Sequence, residues 1–237
     1  MTVTQENLQQ QNIDAYRTDA MVDQYSLYRL YPAERVFFSK YYKPGDSVLD
    51  HACGAGRTTL RLHELGYRVK GIDTSENLIQ VAQRRFPYIT FEVGSYCEIQ
   101  EPDASYDHVL VSFNSLDYAW PEQRRIDALR ECHRVLKPGG TLIFSSHNIK
   151  SFHASPVYLS REGFMTKLRN TAAAFRDQAY VRSDTCTTYF ASPAYVIGQT
   201  EKVGFKYLEQ MGVRKITNPT LNRYISPYIY YAFRKLG

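Results

Sequence analysis

Short apolar runs alternate with amphipathic stretches through the middle of the chain. Ser47-Val48-Leu49-Asp50 reads as a short strand ending in an acid. Thr58 to Leu65 reads as a helix closed by Gly66, and Arg68 to Ile72 as a second strand leading into Asp73. Ser75 to Arg85 follows as a helix with Ser75 at its N-cap, where a hydroxyl satisfies a free backbone N–H. Ile89 to Val93 is a third strand. Asp107 to Phe113 is a fourth, with Val109 and Val111 at alternate positions. Pro121 to Leu136 reads as a helix with proline in its first turn. Lys137-Pro138-Gly139-Gly140 predicts a turn, and Thr141 to Ser146 a fifth strand.

This rhythm implies an α/β fold: a doubly wound, mostly parallel, Rossmann-like sheet with helices on both faces and right-handed crossovers. Phe205 to Gly212 and Ser226 to Arg234 read as a closing pair, giving seven strands. Residues 149–195 break the pattern, with helical stretches such as Arg161 to Arg169 and no sheet strand before Tyr189. They are read as an insertion after strand five, a lid over the acceptor site. Residues 1–43 are read as a helical cap on one domain spanning 1–237. In it, residues 5–20 are read as a polar helix, and the spacing of Tyr25, Tyr28 and Tyr31 predicts one shared face. Pro32 opens a further helix with Val36, Phe37 and Tyr41 on its buried side. Ligands of such sheets bind beyond the carboxyl ends of the strands. That places Asp50–Gly56, Asp73, Ser95, Phe113–Tyr118 and Ser146–Asn148 at the expected site.

Composition changes this picture little. The 237 residues are 43% hydrophobic and 22% charged, ordinary for a globular chain. There is no apolar run of the ~20 residues a membrane span needs, and the polar start MTVTQENLQQQNID lacks a secretory core. A cytoplasmic protein is expected. Cys53, Cys97, Cys132 and Cys186 are scattered, which argues for reduced thiols and no metal site. The net charge of +5 contains no Lys/Arg block, and no basic appendage for nucleic acid is present. The 20 tyrosines gather in three regions and suit pocket walls as well as core.

Val48-Leu49-Asp50-His51-Ala52-Cys53-Gly54-Ala55-Gly56-Arg57 joins the first strand to the first helix. Gly54 and Gly56 let the backbone turn sharply and approach a ligand. The helix behind them offers unpaired N–H groups. Asp73, at the end of the second strand, can accept from the ribose hydroxyls of a nucleoside. A dinucleotide pattern requires a third small residue, where this chain has Thr59. Asp50 would also repel a pyrophosphate.

These features resemble the class I S-adenosylmethionine-dependent methyltransferases, in particular their small-molecule group, over roughly Val48 to Ser146. The family pattern is an acid followed by G-x-G-x-G. Ala52 stands at the first glycine, which predicts a backbone there without positive φ, and His51 stands at a usually apolar position. Asp73-Thr74-Ser75-Glu76-Asn77-Leu78-Ile79, Val93-Gly94-Ser95-Tyr96, Tyr106-Asp107-His108-Val109 and Leu136-Lys137-Pro138-Gly139-Gly140-Thr141 match further family segments in order. The resemblance implies S-adenosylmethionine as cofactor, with Asp73 on the ribose, Leu78 on the adenine and the Ser95-Tyr96 loop at the adenine edge. Ser95 stands where the family usually has Asp. It further implies that Tyr25 and Tyr28 lie on a helix closing over the cofactor and that Arg29 pairs with the methionine carboxylate. The implied cofactor set is Tyr25, Arg29, Asp50, Ala52, Gly54, Gly56, Asp73, Thr74, Leu78, Ser95, Tyr96, Phe113, Asn114 and Ser115.

The implied reaction is in-line transfer of a methyl group to an N or O atom of a small molecule. Proximity and orientation carry most of it. His147, after strand five, is the leading base, because imidazole ordinarily titrates near ~6.5. Asn114 could orient an acceptor. Asp117 is a second base, a cation site or a turn residue. His51 alternates with Asp50 and should point away from the cofactor. His153, Tyr158, Arg161, Arg169 and Arg176 in the insertion suit an anionic acceptor. The rival readings are a nucleic-acid or protein methyltransferase, an NAD(P)-dependent oxidoreductase and a silent binding domain. An Asn/Asp-Pro-Pro-aromatic motif after the fourth strand, which would mark a base-methylating enzyme, is not evident.

Overall fold

The structure, a computed structural model, describes residues 29–151, 175–182, 187–213 and 215–237. A seven-stranded sheet forms its centre. The strands are β1 (Ser47–His51), β2 (Arg68–Asp73), β3 (Thr90–Val93), β4 (Tyr106–Val111), β5 (Leu136–His147), β8 (Phe205–Gly212) and β9 (Tyr228–Lys235), in the order β3-β2-β1-β4-β5-β9-β8. β9 runs antiparallel to both β5 and β8, and the other neighbours pair in parallel. The doubly wound, mostly parallel Rossmann-like sheet is therefore as expected. β6 (Gln178–Arg182) and β7 (Thr187–Ala191) make a separate antiparallel ribbon.

Both faces of the sheet are covered, so the central strands are apolar on both sides rather than alternating. Leu49, Val109, Val111, Leu142 and Phe144 face one layer, with Leu129, Cys132 and Val135 of α4 (Glu122–Val135) and Val196 of α5 (Pro193–Glu201). Val48, Leu110, Ile143 and Tyr230 face the other, against Phe37 and Phe38 of α1 (Pro32–Tyr41) and Leu62 of α2 (Arg57–Glu64). The buried face of α1 is Ala33, Glu34, Phe37 and Phe38. Val36 and Tyr41 are only half-buried.

Three local expectations are corrected. β1 continues one residue past Asp50, to His51. The turn at residues 137–140 is a bulge inside the long β5: Tyr106 pairs with Leu136 and His108 with Thr141. Gly139 there takes φ +76°, so two residues along β4 face five along β5. The region read as strandless before Tyr189 contains β6 and the start of β7. Two helices carry no clear apolar periodicity and were missed: α5, capped by Ser192 accepting from the Tyr195 N–H, and α6 (Pro219–Ile225), capped by Asn218. α3 (Glu76–Arg85) has the predicted Ser75 cap, which accepts from the Leu78 N–H. The polar helix at 5–20, Tyr25, Tyr28, His153, Tyr158, Arg161, Arg169 and Cys186 lie outside the described residues.

Candidate active site

The loop from β1 to α2 is a sequence of left-handed turns. Ala52, Gly54 and Gly56 take φ of +61°, +55° and +86°. The expectation for Ala52 is thus overturned: it adopts the conformation of the glycine it replaces, against the Cβ clash that disfavours it. Ala52→Gly should stabilise the fold by about 0.5–1 kcal/mol, read from the urea midpoint. A lower midpoint would contradict the strain. A Cβ on Gly56 would come within 2.9 Å of the Phe91 ring, whereas one on Gly54 would enter open space with only the Leu78 methyl near, at 4.0 Å.

Asp50 lies beneath this loop. Its Oδ2 accepts from the Thr58 and Thr59 hydroxyls at 2.7 and 2.6 Å, pinning the first turn of α2. Burial pushes its pKa up to about 6, against those two bonds. Asp73 Oδ2 accepts from the Gly54 N–H at 2.8 Å, and its Oδ1 from the Ser75 N–H at 2.9 Å. Burial raises its pKa and these backbone donors oppose it. A carboxylate has about four acceptor positions, so the Asp73 carboxylate ties the glycine loop to β2 and keeps capacity for further donors. Thr74, Ser95 and Tyr96 are half-buried beside it, and Ser95 Oγ accepts from the Cys97 N–H at 3.1 Å. Leu78 packs on Ala55. His51 is fully buried against Tyr96, facing the core, and burial lowers its pKa to about 4.

The second half of the site follows β4 and β5. Phe113 and Asn114 take φ of +57° and +60°, unusual for a phenylalanine. This strained corner aims Asn114 at β5: its N–H donates to Ser145 Oγ at 2.8 Å, and its Nδ2 lies 3.4 Å from His147 Nε2. Asn114 Oδ1 is buried and meets no donor among the described residues. A 3-10 turn, Ser115–Tyr118, then carries Asp117, which is 0% exposed. Its Oδ2 accepts from the His147 backbone N–H at 2.7 Å and lies 2.8 Å from His147 Nδ1. Its Oδ1 accepts from Ser146 Oγ and Arg125 Nη1, both at 2.7 Å. Each Asp117 oxygen thus has two partners, and Oδ2 holds both the backbone and the ring of His147. The His147 ring, 18% exposed, touches Phe190 of β7 and Tyr228 of β9. Asn148, its neighbour, is structural: its Nδ2 donates to the carbonyls of Asn222, Arg223 and Ser226 at the end of α6.

Sequence reading missed the cluster that joins these halves. Arg57 binds Glu34 through both Nη atoms, at 2.9 and 2.7 Å, and Glu34 also accepts from Tyr230 OH, Ser112 Oγ and the Tyr31 N–H. The guanidinium lies over Tyr31, which stacks on Phe113. A cation at the first position of a helix opposes the helix dipole, so Arg57 behind Gly56 signalled a carboxylate partner. Arg125 also carried a signal: with Ala128, Leu129 and Cys132 it forms an i, i+3, i+4, i+7 stripe, putting a charge on an apolar face. Arg29 is exposed, and its carbonyl accepts from Arg57 Nη1 at 3.5 Å. Arg176 is likewise exposed.

Residues 48–140 match a family model described as methyltransferase domain. Over that segment the chain is similar to methyltransferases. A demethylmenaquinone methyltransferase of Lysinibacillus sphaericus is 34% identical over 110 residues, 43% of this chain and 44% of that protein. The chain thus spans under half the length of the curated relatives it matches. Among solved structures, a methyltransferase of Methanosarcina mazei superposes with TM-score 0.67 at 19% identity, covering 88% of this chain and 99% of that one. The 1,6-didemethyltoxoflavin-N1-methyltransferase of Burkholderia thailandensis, solved with S-adenosylhomocysteine, gives 0.66 at 17% identity, covering 97% and 88%. No described helix of the chain is long and apolar enough to cross a membrane.

Proposed function

We propose that this chain transfers the methyl group of S-adenosylmethionine to an N or O atom of a small planar molecule held beside His147. The observation that carries the reading is the buried Asp117–His147 pair standing at the same sheet edge as the glycine loop and Asp73. The residues present fit the cofactor. Gly54 faces open space where any side chain would intrude. Asp73 keeps free acceptor capacity for ribose hydroxyls, and Leu78 forms an apolar shelf for the adenine. When bound, S-adenosylmethionine supplies a methyl group already activated as a sulfonium.

The chain's residues do the rest. With Nδ1–H donated to Asp117, His147 presents the Nε2 lone pair and can take a proton from an acceptor hydroxyl or amine. Asn114, held at its backbone by Ser145, can orient the same acceptor through its amide. Tyr31, Phe113, Tyr228 and Phe190 line up as a run of ring contacts ending on His147. Such a surface favours a flat aromatic partner. Arg57 is committed to Glu34 through both Nη atoms.

Asp73→Ala tests the cofactor half. It should weaken S-adenosylmethionine binding by roughly 1–3 kcal/mol, because the ribose hydroxyls and the Gly54 N–H lose their acceptor. Calorimetric titration reads this directly, and unchanged affinity would remove the ribose assignment.

A further inference from the structure

We infer that Arg125 is a positioning residue for His147, acting through Asp117, and that Gln199 fixes Arg125 in turn. This rests on the reading of His147 as the base. Arg125 is 0% exposed, a full positive charge in the core between α4 and the sheet. Its Nη1–H donates to Asp117 Oδ1 at 2.7 Å and its Nε–H to Gln199 Oε1 at 2.9 Å. Its flat face lies 4.7 Å from the centre of the Tyr189 ring. Gln199 is held by donating to Glu122 Oε1 at 2.8 Å, the oxygen that Tyr195 OH also reaches. The line from α5 to His147 is thus continuous and buried.

Two consequences follow for His147. The first is geometric. Arg125 and Ser146 occupy Asp117 Oδ1, leaving only Oδ2 for the His147 backbone N–H and Nδ1. The carboxylate cannot rotate away, so Nδ1 carries the proton and Nε2 is the free base. The second is electrostatic. A lone buried carboxylate would hold a neighbouring imidazole in its charged form. Paired with Arg125 at 2.7 Å, Asp117 presents a net-neutral partner to the ring. The other described groups facing His147 do not change this. Asn114 and Phe190 do not titrate, and burial raises Tyr228 well above the ordinary phenol range, so it stays neutral.

The test uses the full chain with ¹⁵N-labelled histidine and no ligand, which separates it from activity. The parent His147 should show the Nδ1–H tautomer. In Arg125→Met the midpoint of His147 protonation should rise by about 1–2 pH units. With saturating cofactor and acceptor, kcat at neutral pH should then fall about 10- to 100-fold and recover toward alkaline pH. The cofactor KM should not move. Arg125→Lys keeps the charge and should restore most of the midpoint. Gln199→Leu, which leaves both charges, should give a mixture of tautomers. If Arg125→Met does not fold, the lysine and leucine variants decide. An unchanged tautomer and midpoint in the folded variants would overturn the inference. A ring that responds to Arg125 in a protein whose turnover does not need His147 would leave the coupling standing and overturn the base assignment.

Discussion

His147→Ala is expected to lower turnover by roughly 10²–10⁴-fold while leaving S-adenosylmethionine affinity nearly intact. The separation follows from placement. His147 ends β5, whereas Asp50, Gly54, Gly56 and Asp73 belong to the β1–α2 loop and the end of β2. The only described side-chain amide beside Nε2 is that of Asn114. Removing the ring also frees Asp117 Oδ2 from one of its two partners. Some loss of stability is therefore expected, and turnover must be compared on folded protein. Added imidazole should restore part of the rate by filling the vacated space. Full activity of the alanine variant across mildly acidic to mildly alkaline pH would show that the acceptor needs no base, or that another group supplies it.

Glu34→Ala should be the most destabilising single change, by about 3–5 kcal/mol, because it leaves Arg57 buried without its counter-charge. The Arg57 and Glu34 side chains are 8% and 0% exposed, so solvent screens little of this. Tyr230 OH and the Tyr31 N–H lose an acceptor at the same time. Removing both charges in a Glu34→Ala, Arg57→Ala double variant should cost less than the two single changes added together, since no orphaned charge remains. Urea unfolding of the four proteins measures the coupling. Strict additivity would mean that α1 and the glycine loop are not joined through this pair. Because α1 reaches the loop through Glu34, the single variant should also bind cofactor more weakly.

The parallel strands were legible as apolar runs, three of them closed by Asp50, Asp73 and Gly94, and the central β1 and β4 are buried on both faces. The glycine loop and Asp73 were legible because backbone conformation and hydrogen-bond capacity are properties of single residues. Ala52 was misread for a related reason: alanine disfavours a left-handed turn locally, and only the surrounding loop forces it there. The partners of Asp117 were not legible, because Arg125, Ser146 and His147 come from two other elements. Glu34 was invisible as a site residue, since its partner Arg57 lies 23 positions away and Tyr230 lies 196 away. α5 and α6 were missed because they are short and capped by Ser192 and Asn218 rather than marked by periodic apolar faces.

The most direct measurement is calorimetric titration of the purified chain with S-adenosylmethionine, with S-adenosylhomocysteine, NAD and NADP run in parallel. The loop with Thr59 at the third small position, the Asp50 carboxylate beneath it and the Asp73 acceptor predict micromolar binding of the two sulfur nucleosides. They predict no heat with either dinucleotide. Binding of NAD or NADP with no response to S-adenosylmethionine would contradict the account at its base.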